Sequence, residues 1–119
     1  MVRREPGGYV ATQRFWLEVS RLLPAAVRLL PREKLWMLAG VESWRPAAVA
    51  AISFSLALAV SARASRYGLR GRPSGEYIKA IAGLAMHAVA QCPARARALA
   101  IMARREAGRR LGLQLLFPK

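Results

Sequence analysis

Apolar residues in the first third of the chain recur at intervals of three and four residues. This spacing predicts one face of an amphipathic helix, running from Thr12 to about Leu23. The apolar positions are Phe15, Trp16, Val19, Leu22 and Leu23. Thr12 can cap the helix N-terminus with its hydroxyl. Pro24 is expected to break or kink the helix, because proline removes a backbone N–H and clashes with the preceding turn.

Two shorter helices are expected after Pro24. One covers about Ala25–Leu30, and the other covers Arg32–Ala39. Pro31 suits the first turn of the latter, and Gly40 is a natural stop.

The longest apolar run, Pro46–Tyr67, predicts a single long helix of about 33 Å. Its large side chains do not keep to one face. Val49, Ile52, Leu56 and Val60 form one stripe, whereas Phe54 and Leu58 lie on another side. A helix that is apolar all round is either buried on several sides or placed in a membrane. The apolar part, Pro46–Ala62, is 17 residues long, at the lower limit for a membrane span.

Two more helices are expected in the second half of the chain. Gly75–Gln91 should place Tyr77, Ile81, Leu84 and Ala88 on one face, with Ile78, Ala85 and Val89 beside them. Pro93 should open a helix that continues to about Leu111, with Leu99, Ile101, Met102 and Ala103 as its apolar part.

The predicted fold class is therefore all-α, and the chain divides into three parts. Residues 1–45 form a basic N-terminal arm with Pro-kinked helices, of which residues 1–11 are extended. Residues 46–111 form a compact, Ala-rich helical bundle, and residues 112–119 form an apolar C-terminal tail.

The net charge of +14 is the strongest functional signal in the composition. A compact chain with this charge repels itself unless it has a polyanionic partner. Of the 20 basic residues 17 are Arg, which favours fixed phosphate contacts through the planar guanidinium. Asp and Asn are absent, which fits either a hot host, since thermolabile residues are depleted there, or a GC-rich genome.

The basic residues recur on predicted helices and turns, and we expect a subset of them to contact nucleic acid. Arg14, Arg21 and Arg28 recur every seven residues, so a continuous helix would keep them on one face. The candidate contact residues are Arg3, Arg4, Arg14, Arg21, Arg28, Arg32, Lys34, Arg63, Arg66, Arg70, Arg72, Arg97 and Arg104. Four further arginines, Arg95, Arg105, Arg109 and Arg110, widen the basic surface of the last helix. Helices that carry Arg between Ala spacers, with Gln rare, favour sequence-independent phosphate binding over base readout.

Little in the sequence points to catalysis, so the chain is not expected to be an enzyme. The six acidic residues are all Glu and are scattered, and no phosphate loop, zinc spacing or nucleophile elbow is present. No cofactor or metal is expected. The only histidine, His87, and the only cysteine, Cys92, are interpreted as packing or surface residues.

The turn after the long helix and the two helices that follow resemble a known family. Tyr67-Gly68-Leu69, Gly71, Pro73-Ser74 and Tyr77 precede an Ala/Gly-rich helix, a Pro-containing break and a second Ala-rich helix. This arrangement, over about residues 60–110, resembles the major capsid proteins of filamentous and rod-shaped archaeal viruses of the rudivirus, lipothrixvirus and tristromavirus types. The resemblance implies a homo- or heterodimer that stacks helically around double-stranded DNA, with N-terminal arms that wrap the duplex and hold it in A-form. It also implies a location in the virion, and in the archaeal host cytoplasm during assembly. The many arginines and the apolar tail depart from the rod-virus pattern, and the tail could face a neighbouring subunit or a lipid envelope.

The first functional hypothesis is thus a virion coat protein that packages double-stranded DNA without sequence preference. A second is a membrane-derived, conjugation-type pilin, in which Pro46–Ala62 spans the membrane and Gly75–Val89 returns. A third is a basic chromatin protein of a thermophile. The charge on the last helix exceeds what membrane topology requires, which favours the first over the second.

Overall fold

The computed structural model describes residues 12–40, 43–66 and 75–112, and all regular structure in these ranges is α-helical. The five helices are α1 (Gln13–Arg28), α2 (Arg32–Gly40), α3 (Trp44–Arg66), α4 (Gly75–Gln91) and α5 (Pro93–Arg110). The predicted all-α fold is confirmed. The expectations for the extended arm, for the Tyr67–Ser74 turn and for the tail after Gly112 lie outside the described residues.

Helix α1 begins as predicted but is longer than predicted. The hydroxyl of Thr12 accepts a hydrogen bond from the backbone N–H of Phe15 at 3.2 Å, which confirms the cap. The helix continues through Pro24 to Arg28, so the predicted end near Leu23 and the separate helix over residues 25–30 are wrong. Ala26 and Val27 extend the buried stripe of α1, and their burial offsets the hydrogen bond that proline cannot make.

The helical structure is interrupted between α1 and α2, at residues 29–31, and not at Pro24. The carbonyl of Pro31 accepts hydrogen bonds from the N–H groups of Lys34 and Leu35, at 3.0 and 3.2 Å. Pro31 therefore stands immediately before α2, where its missing N–H costs nothing. Helix α2 ends at Gly40 as expected.

Helices α3 and α5 form the centre of the bundle, since each of them packs against the other four helices. It begins at Trp44, two residues before Pro46, and the Arg45 guanidinium lies 5.0 Å from the Trp44 ring. Its first half supplies the buried residues Ala47, Ala48, Ala51, Ile52 and Ser55. From Leu56 to Ala64 no side chain of α3 is fully buried, although most are partly covered.

Helices α4 and α5 pack mainly through small side chains. The buried face of α5 consists of Ala96, Leu99, Ala100, Ala103 and Ala107, which lets neighbouring helices approach closely. Ile101 and Met102, which belong to the predicted apolar part of this helix, are 45% and 42% exposed. The apolar face predicted for α4 is buried from Ile81 onward, whereas its first residues, Tyr77 and Ile78, are exposed. Helix α5 ends before Gly112, whose φ of 76° is the left-handed conformation that glycine adopts readily at a helix C-terminus.

The helices assigned to the N-terminal arm share one core with the bundle. Phe15, Val19 and Leu23 of α1 and Leu38 of α2 are almost fully buried in the same cluster as Ile52 and Leu99. The described part of the arm is thus packed onto the bundle in the monomer. Its outer face stays accessible and carries basic residues together with the exposed apolar side chains Leu17, Leu29, Trp36 and Met37.

Candidate nucleic-acid interface

The arginines of α1 form a straight row on the outside of the bundle. Arg14, Arg21 and Arg28 are exposed. With about 100° of turn per residue they lie opposite the buried stripe that runs from Phe15 to Val27. Seven residues of helix span about 10.5 Å, so the row is about 21 Å long.

Helix α5 lies beside α1 and runs parallel to it. A cleft of about 260 Å³ joins the first halves of the two helices. Its lining comprises Gln13, Trp16, Leu17 and Ser20 from α1 and Arg95, Ala98, Leu99 and Met102 from α5. At the other end, the Arg110 guanidinium donates a hydrogen bond to the carbonyl oxygen of Arg28 at 3.3 Å. The N-terminal halves of α1 and α5 therefore lie side by side, and so do their C-termini.

This pairing places a second row of arginines next to the first. The cleft residues Arg95 and Met102 are seven residues apart on α5, and Arg109 follows Met102 by the same interval. Arg109 therefore lies on the side of α5 that lines the cleft, near the C-terminus of the helix. Arg105 follows Ala98, another cleft residue, by the same interval. We define the α1–α5 face as Arg14, Arg21, Arg28, Arg95, Arg105, Arg109 and Arg110. All seven residues are exposed.

Two glutamates partly neutralise the α1–α5 face. Glu18 lies 3.6 Å from Arg21, and Glu106 lies 3.5 Å from Arg109, both as i,i+3 pairs within one helix. The arginine side chains of these pairs stay 73% and 64% exposed. An exposed ion pair contributes at most about 1 kcal/mol, so either guanidinium can turn to a phosphate at little cost.

The structure gathers the sequence-predicted contact residues only in part. Arg14, Arg21 and Arg28 lie on the α1–α5 face. Arg97 and Arg104 lie on the side of α5 away from α1, since Arg104 is nine residues, or about 180°, from Arg95. Arg32 and Lys34 are exposed on α2, and Arg63 is exposed on the second half of α3. Arg66 ends α3, but its side chain lies outside the described part of the chain, as do Arg3, Arg4, Arg70 and Arg72.

The arginines that complete the face were visible in the sequence only as extra charge. Arg95 and Arg109 are 14 residues apart, twice the interval between the α1 arginines, so they share one side of a helix, and this spacing is the signal that could have selected them. What the sequence does not contain is the parallel contact between α1 and α5. That contact joins residues that lie far apart along the chain, such as Trp16 and Leu99, so no local pattern reveals it.

Exposed apolar side chains are interleaved with the arginines of the face. Leu17 on α1 is 62% exposed, and on α5 Ile101 is 45% and Met102 is 42% exposed. Apolar groups between cations can contact sugars and base edges while arginines hold the phosphates.

The described residues offer little for other chemistry. Within residues 12–40, 43–66 and 75–112, no three His, Cys, Asp or Glu side chains come together as a metal site would require. His87 and Cys92 are half-buried, Cys92 at the junction of α4 and α5. Two buried polar atoms, Ser55 Oγ and His87 Nε2, have no hydrogen-bond partner in the described part of the chain.

Comparisons with protein-family models, with curated proteins and with solved structures find no match to this chain.

Proposed function

We propose that this chain is a structural protein that coats double-stranded DNA through non-specific contacts between arginines and phosphates. The observation that carries the proposal is the α1–α5 face, where α1 presents arginines at seven-residue intervals and the parallel helix α5 places four further exposed arginines beside them. Guanidinium groups bind phosphate oxygens in a planar, two-pronged geometry, so a regular array of them suits a regular polyanion.

The dimensions of the face fit a duplex. The α1 row of about 21 Å corresponds to about six base pairs at 3.4 Å of axis per pair. Packed helix axes lie about 8–10 Å apart, so the two rows are close enough to contact neighbouring phosphates of one groove. Seven arginines on one face would neutralise a comparable number of phosphates and release their counterions.

The composition of the face favours binding that ignores sequence. Base readout in the major groove typically combines Arg with Asn, Gln and acidic residues. The chain has no Asn and no Asp, and the two carboxylates on the face, Glu18 and Glu106, are paired with arginines.

We further propose that the DNA-bound form is a helical filament, as in the archaeal virus coats that residues 60–110 resemble. In this proposal the partner is double-stranded DNA, held in A-form, together with the chain itself or a paralogous coat protein. The regular array of arginines supports a role along the length of DNA rather than at single sites. In an enveloped form of this filament, a lipid layer would be a further partner.

Electron microscopy of the chain mixed with linear duplex DNA tests this function. A coat protein is expected to form filaments of constant diameter with DNA in the lumen, and their length should scale with the length of the DNA. Discrete particles without filament order would instead support the chromatin-type alternative. The same chain without DNA is the control, because filaments that form equally without nucleic acid would contradict the proposal.

A membrane-derived pilin remains the second candidate because of one observation on α3. The most apolar 18-residue stretch within Trp44–Ala64 has a mean hydropathy of 1.7, and 28% of that stretch is buried. One helix of this kind is weak evidence for a membrane span. Against this candidate, the first half of α3 packs in the bundle core beside helices that carry the arginine rows. Purification in soluble form without detergent would count against the pilin, whereas recovery only in detergent would support it.

A further inference from the structure

Two exposed apolar side chains lie among the arginines of the α1–α5 face. Leu17 of α1 and Met102 of α5 both line the cleft that joins these helices, and they are 62% and 42% exposed. Neither side chain belongs to the buried core. We define this pair as the apolar seam. Since the pair adds little to the core, its place among the cations indicates a contact outside the chain.

On α1, the arginines lie on one side of the apolar seam and the cleft lies on the other. With about 100° of turn per residue, the cleft residue Ser20 is about 60° from Leu17 in one direction. In the other direction Arg28, Arg21 and Arg14 follow at about 20°, 40° and 60°. Leu17 therefore forms the inner edge of the α1 arginine row.

Helix α5 has the mirrored order. The cleft residue Leu99 is about 60° from Met102 in one direction, whereas Arg109 and Arg105 are about 20° and 60° from it in the other. From one edge of the face to the other, the order is thus α1 arginines, apolar seam, α5 arginines. Such a surface is complementary to two lines of phosphates with a less polar strip between them.

The width of the face limits how it can meet a duplex. Two packed helices, each about 10 Å in diameter with axes about 8–10 Å apart, measure about 18–20 Å across. The major groove of B-DNA is about 12 Å wide and admits a single helix. The face is therefore too wide to enter that groove, and its short apolar side chains can touch a groove floor only where the floor is shallow. In an A-form helix the minor groove is wide and shallow, whereas the major groove is deep and narrow.

The chemistry of the apolar seam also fits the minor groove. Leu17 has no hydrogen-bonding group and Met102 has only a weak acceptor, so neither can read the donor and acceptor pattern of the major groove. Sugar rings present C–H groups along the minor groove, and minor-groove proteins frequently place leucine and methionine there.

We propose that the α1–α5 face binds across the minor groove of the duplex. The apolar seam lies against the sugars, and the arginines of α1 and of α5 hold phosphates of opposite strands. This inference rests on the proposed function and adds to it the groove and the residues that contact its floor. The seam contributes affinity that salt does not screen, because counterion release depends on the phosphate contacts alone.

The first test obstructs one groove at a time. A benzyl group on guanine N2 projects into the minor groove, whereas the same group on pyrimidine C5 projects into the major groove. It is placed at about every third base pair, so that any stretch of about six pairs, the length of the face, contains at least one. For the unchanged full-length chain, the minor-groove substituent should raise the Kd at least about tenfold, because it lifts the arginines from the phosphates. The major-groove substituent should leave the Kd within about twofold of that of the unmodified duplex.

The second test removes the apolar seam and keeps every charge. Leu17→Gln combined with Met102→Gln should raise the Kd for the unmodified duplex by about three- to tenfold, because apolar contact area is lost. The slope of log Kd against log salt concentration should not change, since the phosphate contacts remain. The matched control is Met37→Gln combined with Met86→Gln, at positions of α2 and α4 that are 44% and 57% exposed. It should stay within about twofold of the unchanged chain. Thermal melts should show both variants folded, since all four positions are exposed.

Several outcomes would overturn the groove assignment. Equal penalties from the two benzyl positions, a larger penalty from pyrimidine C5, or no penalty from either position would each contradict it. An equal loss of affinity in the two double variants would remove the apolar seam from the contact. These results, together with a steep salt dependence, leave the proposed function intact. Absence of duplex binding by the unchanged chain would instead contradict the proposed function and this inference with it.

Discussion

The arginines of the α1–α5 face differ in how they are held, and this difference has consequences for binding. Arg21 and Arg109 each lie beside a glutamate one turn away on the same helix. Arg14 and Arg95 border clefts on the face and have no carboxylate within 4.0 Å among the described residues. The glutamates therefore compete with phosphate for two of the seven cations, and they should weaken DNA binding while adding little to stability.

Glu18→Gln and Glu106→Gln should each raise the affinity for duplex DNA. An exposed pair is worth about 0.2–1 kcal/mol, so release of one arginine corresponds to about a one-and-a-half- to fivefold lower Kd. Fluorescence anisotropy with a short duplex at fixed salt measures the change. Glu76→Gln removes the same charge from α4, away from the face, and should have a smaller effect. An equal gain from Glu76→Gln would mean that only net charge matters.

The helices show which local rules the sequence obeys and which ones packing overrides. The cap at Thr12, the start of α5 at Pro93 and the extent of α4 follow rules that depend only on neighbouring residues, and all three are as predicted. Pro24 was expected to break or kink α1, and the helix does not end there. Its stripe of Phe15, Val19, Leu23 and Val27 is buried in the bundle, and that burial exceeds the cost of one missing hydrogen bond. Local patterns cannot report this, because the surfaces that cover α1 come from residues far along the chain.

Pro24→Ala should therefore stabilise the protein. Alanine restores the hydrogen bond to the carbonyl of Ser20 and removes the ring, which should add about 1–2 kcal/mol to the free energy of unfolding. The loss of rigidity in the unfolded chain offsets part of this gain. Pro93→Ala is the control, since Pro93 occupies the first turn of α5, where the missing N–H is harmless. Thermal unfolding followed by circular dichroism should show a higher Tm for Pro24→Ala only, and a lower Tm would indicate that Pro24 fits the folded α1 better than alanine does.

At the scale of the molecule, charge and packing are separated. The α1–α5 face concentrates arginines, and the centre is filled by alanine-rich packing around α3. The sequence alone predicts the helical class, the basic character and the central role of the long apolar helix. It does not predict that the N-terminal helices share the core, nor that α5 supplies the second row of arginines. Both depend on which helices pack side by side, and the alanines that decide this look alike along the sequence.

The salt dependence of duplex binding tests the central claim most directly. If the seven arginines of the α1–α5 face contact phosphates, log Kd should change with log salt concentration with a slope of about 6, equally on two unrelated sequences. The triple variant Arg14→Gln, Arg21→Gln and Arg28→Gln should reduce this slope by about 2.7. The control variant Arg45→Gln, Lys79→Gln and Lys119→Gln removes the same charge from residues that are not candidate contacts and should leave the slope unchanged. A slope near zero for the unchanged chain, or an equal reduction by the two triple variants, would contradict the account.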